Sequence, residues 1–256
     1  MDAQRISSSW TTITQISQML SSSPDSWHSY IASARVAINS IDATGFMTNP
    51  SLLDQQIFFI NTLQRLAYVD ADSGGVIDLA NWCLQKWLAI LSLHPQSVAV
   101  LRGIAQYWLY RAQPCLARIH AEEGESSSSS SGGSVRATTT ALSHSTEDEY
   151  QQDVQSYATA QRILHSADHV EARGLLLPAT EYFRQAVALA EAQDQVSGDL
   201  LVLAAEAHMS LGNVSYSGVN IENYEIALDY LRSAMAIPGY VLEPHLHQYL
   251  DDYGQV

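Results

Sequence analysis

Two histidines, His165 and His169, come closest of any residues in this chain to the type and spacing of a metal site. Side chains four apart share one face of an α-helix, and imidazole nitrogens are common zinc ligands. Ser166 follows His165, where helical zinc peptidases carry glutamate, and Asp168 falls on another face. A metal-dependent enzyme or metal-binding helix centred on this pair is therefore an alternative hypothesis. Incidental surface histidines explain the same spacing, and we assign no metal ligand.

The acidic turn around Asp70 and Asp72, with Gly74 and Gly75, is similar at its start to a calcium-binding loop. The twelfth position, which should be a bidentate glutamate, is Asn81, and glycines that end a helix explain the same residues. The sequence also lacks a glycine-rich phosphate loop, a nucleophile elbow and a metal-spaced cysteine set. We therefore expect no catalytic residue, no cofactor and no enzymatic activity.

Thr146 is a candidate phosphorylation site, because the three acids Glu147, Asp148 and Glu149 that follow it suit an acid-directed kinase. The same residues form a capping box that would open a helix. A phosphate there is favoured by the helix dipole and opposed by the adjacent acids. Regulation and helix capping are compatible hypotheses for Thr146.

The elements that position these residues are helices throughout. Apolar residues recur at helical spacing along nearly all 256 residues, without sustained two-residue alternation, so the sequence predicts an all-α fold. Helix starts are predicted at Ser23-Pro24 and Asn49-Pro50, and a further helix from about Val76 to Leu93 stops before Pro95. A short helix from Pro244 to about Tyr253 is predicted to cap the end of the chain.

Composition constrains partner and location. Residues 147–256 hold 17 acidic and 4 basic residues. This negative charge disfavours binding of nucleic acid and anionic lipid and favours a basic partner segment. A simpler explanation is that the charge improves solubility. The two cysteines, Cys83 and Cys115, lie in apolar stretches and read as buried hydrophobes in a reducing compartment. With no signal peptide or membrane-spanning segment recognised, the expected location is cytoplasm or nucleus.

Residues 205–238 resemble the tetratricopeptide repeat, in which small residues let two antiparallel helices approach closely. Degenerate matches occupy residues 76–112 and 149–192, and the interhelical loop of the clearest match is placed from Ser217 to Tyr224. The positions assigned to repeat packing are Leu101, Ile104, Ala105, Trp108, Ala179, Phe183, Ala186, Leu211, Gly212, Ala227, Leu231, Ala234 and Pro238.

This resemblance implies a right-handed α-solenoid of helix hairpins that binds protein segments in a concave groove. We expect an N-terminal hairpin over residues 1–48, degenerate repeats over 49–121, a disordered Ser/Gly-rich insertion over 122–146 and acidic repeats with a capping helix over 147–256.

The implied function is a non-enzymatic scaffold or adaptor, expected to be a subunit of a larger complex, that binds an apolar or basic segment. Tyr107 and Tyr110, if they face outward, and Met209 and Asn213 are candidates for partner contact. Chaperone adaptors of this family clamp acidic tails with lysine, asparagine and arginine. Asn213 fits that clamp, but Met209 stands where lysine is needed, so this version is disfavoured. A purely structural spacer is a further alternative.

Overall fold

The described part of the chain is entirely helical. The structure, a computed structural model, describes residues 2–129 and 164–254, with the backbone alone for residues 123–129. No strand occurs in these ranges, and the predicted all-α class is confirmed. The helices are α1 Asp2–Ser22, α2 Ile31–Asp42, α3 Leu53–Ala67, α4 Ile77–Leu93, α5 Val98–Ser129, α6 Ala167–Ala192, α7 Gly198–Asn213, α8 Val219–Met235 and α9 Pro244–Tyr253.

Two of the predicted helix starts begin with a tighter 3-10 segment. Pro24–Tyr30 precedes α2 and Pro50–Leu52 precedes α3. Proline suits the first helical position because it has no N–H to leave unpaired. At the second start, the Asn49 side chain accepts a hydrogen bond from the Ser51 N–H at 3.0 Å. The start signals therefore mark the right places, although the α-helices themselves begin several residues later.

Helices adjacent in sequence pack together, and a second layer of contacts joins alternate helices. α1 packs on α2, α3 on α4, α5 on α6 and α7 on α8. In addition, α1 contacts α3, α3 contacts α5, and α5 contacts α7. Helices α1, α3, α5 and α7 therefore form a continuous layer, and α9 packs against α8 at its end.

Helix α5 is the shared wall of two hydrophobic cores. One core lies among α1 to α4, and the other lies among α6 to α9. The α5 side chains turned to the first core are Val100, Ile104 and Tyr107, and those turned to the second are Leu101, Ala105 and Leu109. A helix that is apolar on two sides is buried on both, so α5 ties the two halves together.

Gly212 and Gly103 allow close contact between helices and aromatic rings. A Cβ on Gly212 of α7 would lie 2.8 Å from the Tyr224 ring on α8, at the crossing where the sequence predicted a small residue. A Cβ on Gly103 of α5 would lie 2.6 Å from the Trp87 indole of α4, a contact that no pattern in the sequence indicates. At both positions the absent side chain lets a ring approach the helix backbone closely.

The positions assigned to repeat packing are nearly all in the cores. Trp108 is half-buried, and Pro238, beyond the end of α8, is exposed. Burial suits any helical core, so the repeat type and its handedness remain predictions. The buried members are Leu101, Ile104, Ala105, Ala179, Phe183, Ala186, Leu211, Gly212, Ala227, Leu231 and Ala234.

Two segment boundaries differ from the expectation. Helix α5 continues to Ser129, into the stretch predicted as a loop, because extending an existing helix costs far less than nucleating one. Helix α8 begins at Val219, so the loop predicted from Ser217 to Tyr224 is mostly its first turns. The remainder of the Ser/Gly-rich stretch and Thr146 lie outside the described residues.

Candidate binding groove

A groove runs along the layer of odd-numbered helices. It consists of four adjoining depressions of about 500, 330, 620 and 540 Å³. Ile57 and Ala99 line both the first and the second, and Tyr110 lines both the second and the third. Tyr224 and Tyr249 line both the third and the fourth. We call this surface, which runs from α3 across α5 and α7 to α8 and α9, the groove.

The second depression is lined by polar and basic side chains of α3 and α5. Asn61 and Arg65 lie one turn apart on α3, and Arg102 and Gln106 lie one turn apart on α5. Neither arginine forms an ion pair or hydrogen bond with another described residue. The sequence shows these polar pairs at helical spacing on otherwise apolar helices. It does not show that α3 and α5 pack side by side.

Tyr110 stands where the basic part of the groove meets its acidic part. Its hydroxyl oxygen accepts a long hydrogen bond of 3.5 Å from Gln106 Nε2. Burial raises the pKa of the Tyr110 phenol, Glu206 raises it further, and Arg102 and Arg65 lower it. The tyrosine therefore stays protonated near neutral pH and feels charges of both signs.

Glu206 is the main charge of the third depression. It is half-buried on α7, and it makes no hydrogen bond or ion pair with another described residue. Burial raises the pKa of its carboxyl group, with a further rise from Glu243 and a lowering by His245. Met209, also half-buried, lies one turn further along α7. A carboxylate without a hydrogen-bond or ion-pair partner in the described part of the chain thus lies beside an apolar thioether side chain on the groove floor.

The last depression is walled by aromatic and aliphatic groups. The Tyr224 hydroxyl donates a 2.7 Å hydrogen bond to Asn213 Oδ1, which ties α8 to the end of α7. Across from it, the Tyr249 and Tyr253 rings of α9 lie 5.0 Å apart. Helix α9 is held by the buried Leu246.

Three of the four residues predicted to contact a partner line the groove, and the fourth is buried in the core. Tyr110, Met209 and Asn213 all line the third depression, although they stand on two different helices. Tyr107 does not join them. It is buried, and its hydroxyl donates a 2.9 Å hydrogen bond to Asn81 Oδ1, so it belongs to the core and not to a binding surface.

The two histidines of the metal hypothesis do not share a helix face. Helix α6 begins at Ala167, so His165 precedes it, with Nδ1 3.1 Å from the Tyr216 hydroxyl. His169 is buried in the first turn, with Nδ1 2.9 Å from Ser166 Oγ. The expectation of a single helix is wrong because Ser166 caps α6 and ends the regular spacing there.

Cys115, Asp168 and Glu171 bring three metal-binding atoms close together between α5 and α6. Arg118 already lies among them, 2.6 Å from Asp168 Oδ1 and 3.4 Å from Cys115 Sγ. Burial raises the pKa of the Cys115 thiol, which disfavours the thiolate that a metal requires. An ion pair and a buried thiol account for this cluster.

The turn after α3 is a helix stop. Asp70 Oδ1 accepts from the Ser73 N–H at 3.3 Å, and the Asp70 carbonyl accepts from the Gly75 N–H at 3.0 Å. Gly74 and Gly75 have φ of 95° and 65°, values that glycine adopts without strain. Asp70 is thus engaged in shaping the turn, as in the helix-end explanation.

No family model, curated protein or solved structure matches this chain. Within residues 2–129 and 164–254, no helix is both long and apolar enough to cross a membrane.

Proposed function

We propose that this protein is a non-enzymatic interaction scaffold whose groove binds a segment of another protein. The observation that carries this proposal is the continuity of the groove across α3, α5, α7 and α9. A surface that joins several depressions along parallel rows of side chains suits an extended or helical segment better than a compact small molecule. Tyr110 and Met209 supply the kind of aromatic and flexible apolar contact that anchors such segments.

The chemistry of the groove favours a segment with apolar residues and at least one basic residue. Tyr224, Tyr249 and Leu228 offer apolar surface in the last depression, and Glu206 and Glu225 offer negative charge beside it. Charge of one sign on the groove favours the opposite sign on the partner. Stacked hairpins of a right-handed, tetratricopeptide-like solenoid would present this surface as their concave side, and the scaffold would act as a subunit of a larger complex in cytoplasm or nucleus.

Selection from a displayed random-peptide library tests the proposal without knowledge of the natural partner. We expect the immobilised protein to enrich peptides whose binding is weakened by Met209→Ala, which removes the thioether side chain from the groove floor. Leu177→Ala is the matched control, because Leu177 is a 57 % exposed apolar residue of α6 away from the groove. Peptides that lose affinity equally with both variants, or no enrichment at all, would contradict the scaffold and leave the structural-spacer alternative.

A further inference from the structure

We propose that the groove recognises a segment carrying charges of both signs, with an acidic side chain at Arg65 and Arg102 and a basic side chain at Glu206. This inference rests on the proposed scaffold function and adds the order of charges along the bound segment. It concerns the second and third depressions, which meet at Tyr110.

Arg65 and Arg102 have no ion-pair partner among the described residues, although the chain is rich in carboxylates. Most other described cations have partners: Arg35 lies 2.7 Å from Asp78, Lys86 lies 2.8 Å from Asp42, and Arg184 lies 2.7 Å from Glu181. Among the described residues, nothing within ion-pair distance of Arg65 or Arg102 is acidic. Two guanidinium groups that share one depression without a counter-charge favour binding of an anion.

The anion that suits these two arginines is a carboxylate. Guanidinium groups match the flat, two-oxygen face of a carboxylate, and the amides of Asn61 and Gln106 add neutral donors to the same depression. Phosphates of nucleic acid have the same charge, but Glu206 and Glu225 further along the groove would repel a polyanion. A single Asp or Glu side chain, with charge of the other sign nearby, avoids that repulsion.

Glu206 lies on the other side of Tyr110 from the two arginines. Its half-buried carboxylate has no cationic partner among the described residues, and a Lys or Arg from the bound segment would supply one. Tyr110 lines both the depression that holds Arg65 and Arg102 and the depression that holds Glu206. The two subsites therefore adjoin and can be occupied by one short segment.

A double-mutant cycle between protein and peptide tests this assignment. A peptide selected on the groove is synthesised in its original form, with its acidic residues changed to Gln, and with its basic residues changed to Gln. We expect Arg102→Gln to weaken the original peptide about fivefold, as for a partly exposed ion pair, and to leave the acid-free peptide unchanged. Glu206→Gln should likewise weaken binding of the original peptide about fivefold and leave binding of the peptide without basic residues unchanged. If Arg102→Gln unfolds the protein, Arg65→Gln, at a more exposed position, replaces it in the comparison of the original and the acid-free peptide.

Arg184→Gln is the control, since it removes a surface arginine of α6 outside the groove and should leave all three peptides unaffected. If Arg102→Gln weakens the original and the acid-free peptide by the same factor, the charge assignment is overturned while the scaffold function stands. Single-stranded RNA that binds the protein through Arg65 and Arg102, with peptides unaffected, overturns it in favour of nucleic acid. Failure to select any peptide removes both proposals.

Discussion

The contact between Gly103 and Trp87 gives the sharpest test of how this fold is held together. Changing Gly103 to alanine would place a methyl group 2.6 Å from the indole, well inside van der Waals distance. Trp87 cannot easily move away. It is 1 % exposed, and its Nε1 donates a 2.8 Å hydrogen bond to Gln64 Oε1. Gln64 Nε2 in turn donates to the Gly103 carbonyl at 2.9 Å.

Two opposing effects decide the size of the change. Replacing glycine by alanine inside a helix stabilises it by up to about 1 kcal/mol. Overpacking a rigid core costs about 1–3 kcal/mol, and displacing Trp87 also strains its buried hydrogen bond to Gln64, which contributes about 1 kcal/mol. The net expectation for Gly103→Ala is a loss of about 2 kcal/mol, or a melting temperature lower by about 4–8 °C in a chain of this size.

Gly174→Ala is the matched control for this prediction. Gly174 is also a helix-interior glycine, on α6, but a Cβ there would meet nothing within 4 Å. Only the helix-propensity gain applies, so its melting temperature should rise by about 2–4 °C. Thermal unfolding followed by circular dichroism measures both variants. If Gly103→Ala is as stable as Gly174→Ala, the close packing of α4 on α5 is refuted.

Two further predictions concern buried titratable groups. Burial lowers the pKa of His208, whose Nδ1 lies 2.8 Å from Asn223 Oδ1. The neutral imidazole therefore contributes stability that is complete above the unfolded pKa of about 6.5 and is lost as the pH falls from there through the lower pKa of the folded protein. Melting temperatures from pH 8 to about 5 should therefore fall less for His208→Gln than for the unaltered protein, and equal losses would contradict the buried neutral histidine. Both cysteines are buried: Cys83 is 0 % exposed and Cys115 is 2 % exposed. Burial also raises the pKa of the Cys83 thiol, which disfavours the reactive thiolate. Labelling with a thiol reagent should be negligible in native buffer and complete in denaturant, and rapid native labelling would show that these helices open.

Local pattern predicted the helices well because their signal is carried by neighbouring residues. The spacing of apolar residues, Pro95 after α4 and Pro244 at the start of α9 all act within a few positions of one another. The spacing of His165 and His169 misled for a similar reason. A regular interval of four suggests a helix, but the Ser166 side chain accepts from the backbone N–H of His169 and places the helix start between them.

Contacts between side chains on different helices were predicted only where a family pattern supplied them. Gly212 was assigned a packing role through the resemblance to tetratricopeptide repeats, whereas Gly103, with an equally close ring contact, was missed. The meaning of a glycine in a helix depends on which side chain the next helix brings to it, and Trp87 lies elsewhere in the chain. The meeting of Arg65 and Arg102 depends in the same way on the packing of α3 against α5.

The core and the groove are coupled through α5, because its neighbouring residues serve both. Gly103 packs on Trp87 inside, while Arg102 and Gln106 line the groove. Moving α5 to accommodate a larger residue at Gly103 would therefore also displace the groove side chains. The same rigid contact fixes the stretch of α5 backbone that carries these side chains before a partner arrives, so that only the side chains remain to be ordered on binding. The low tolerance expected at Gly103 and the charge-specific binding expected at Arg102 thus have one physical origin, the fixed position of α5 between two cores.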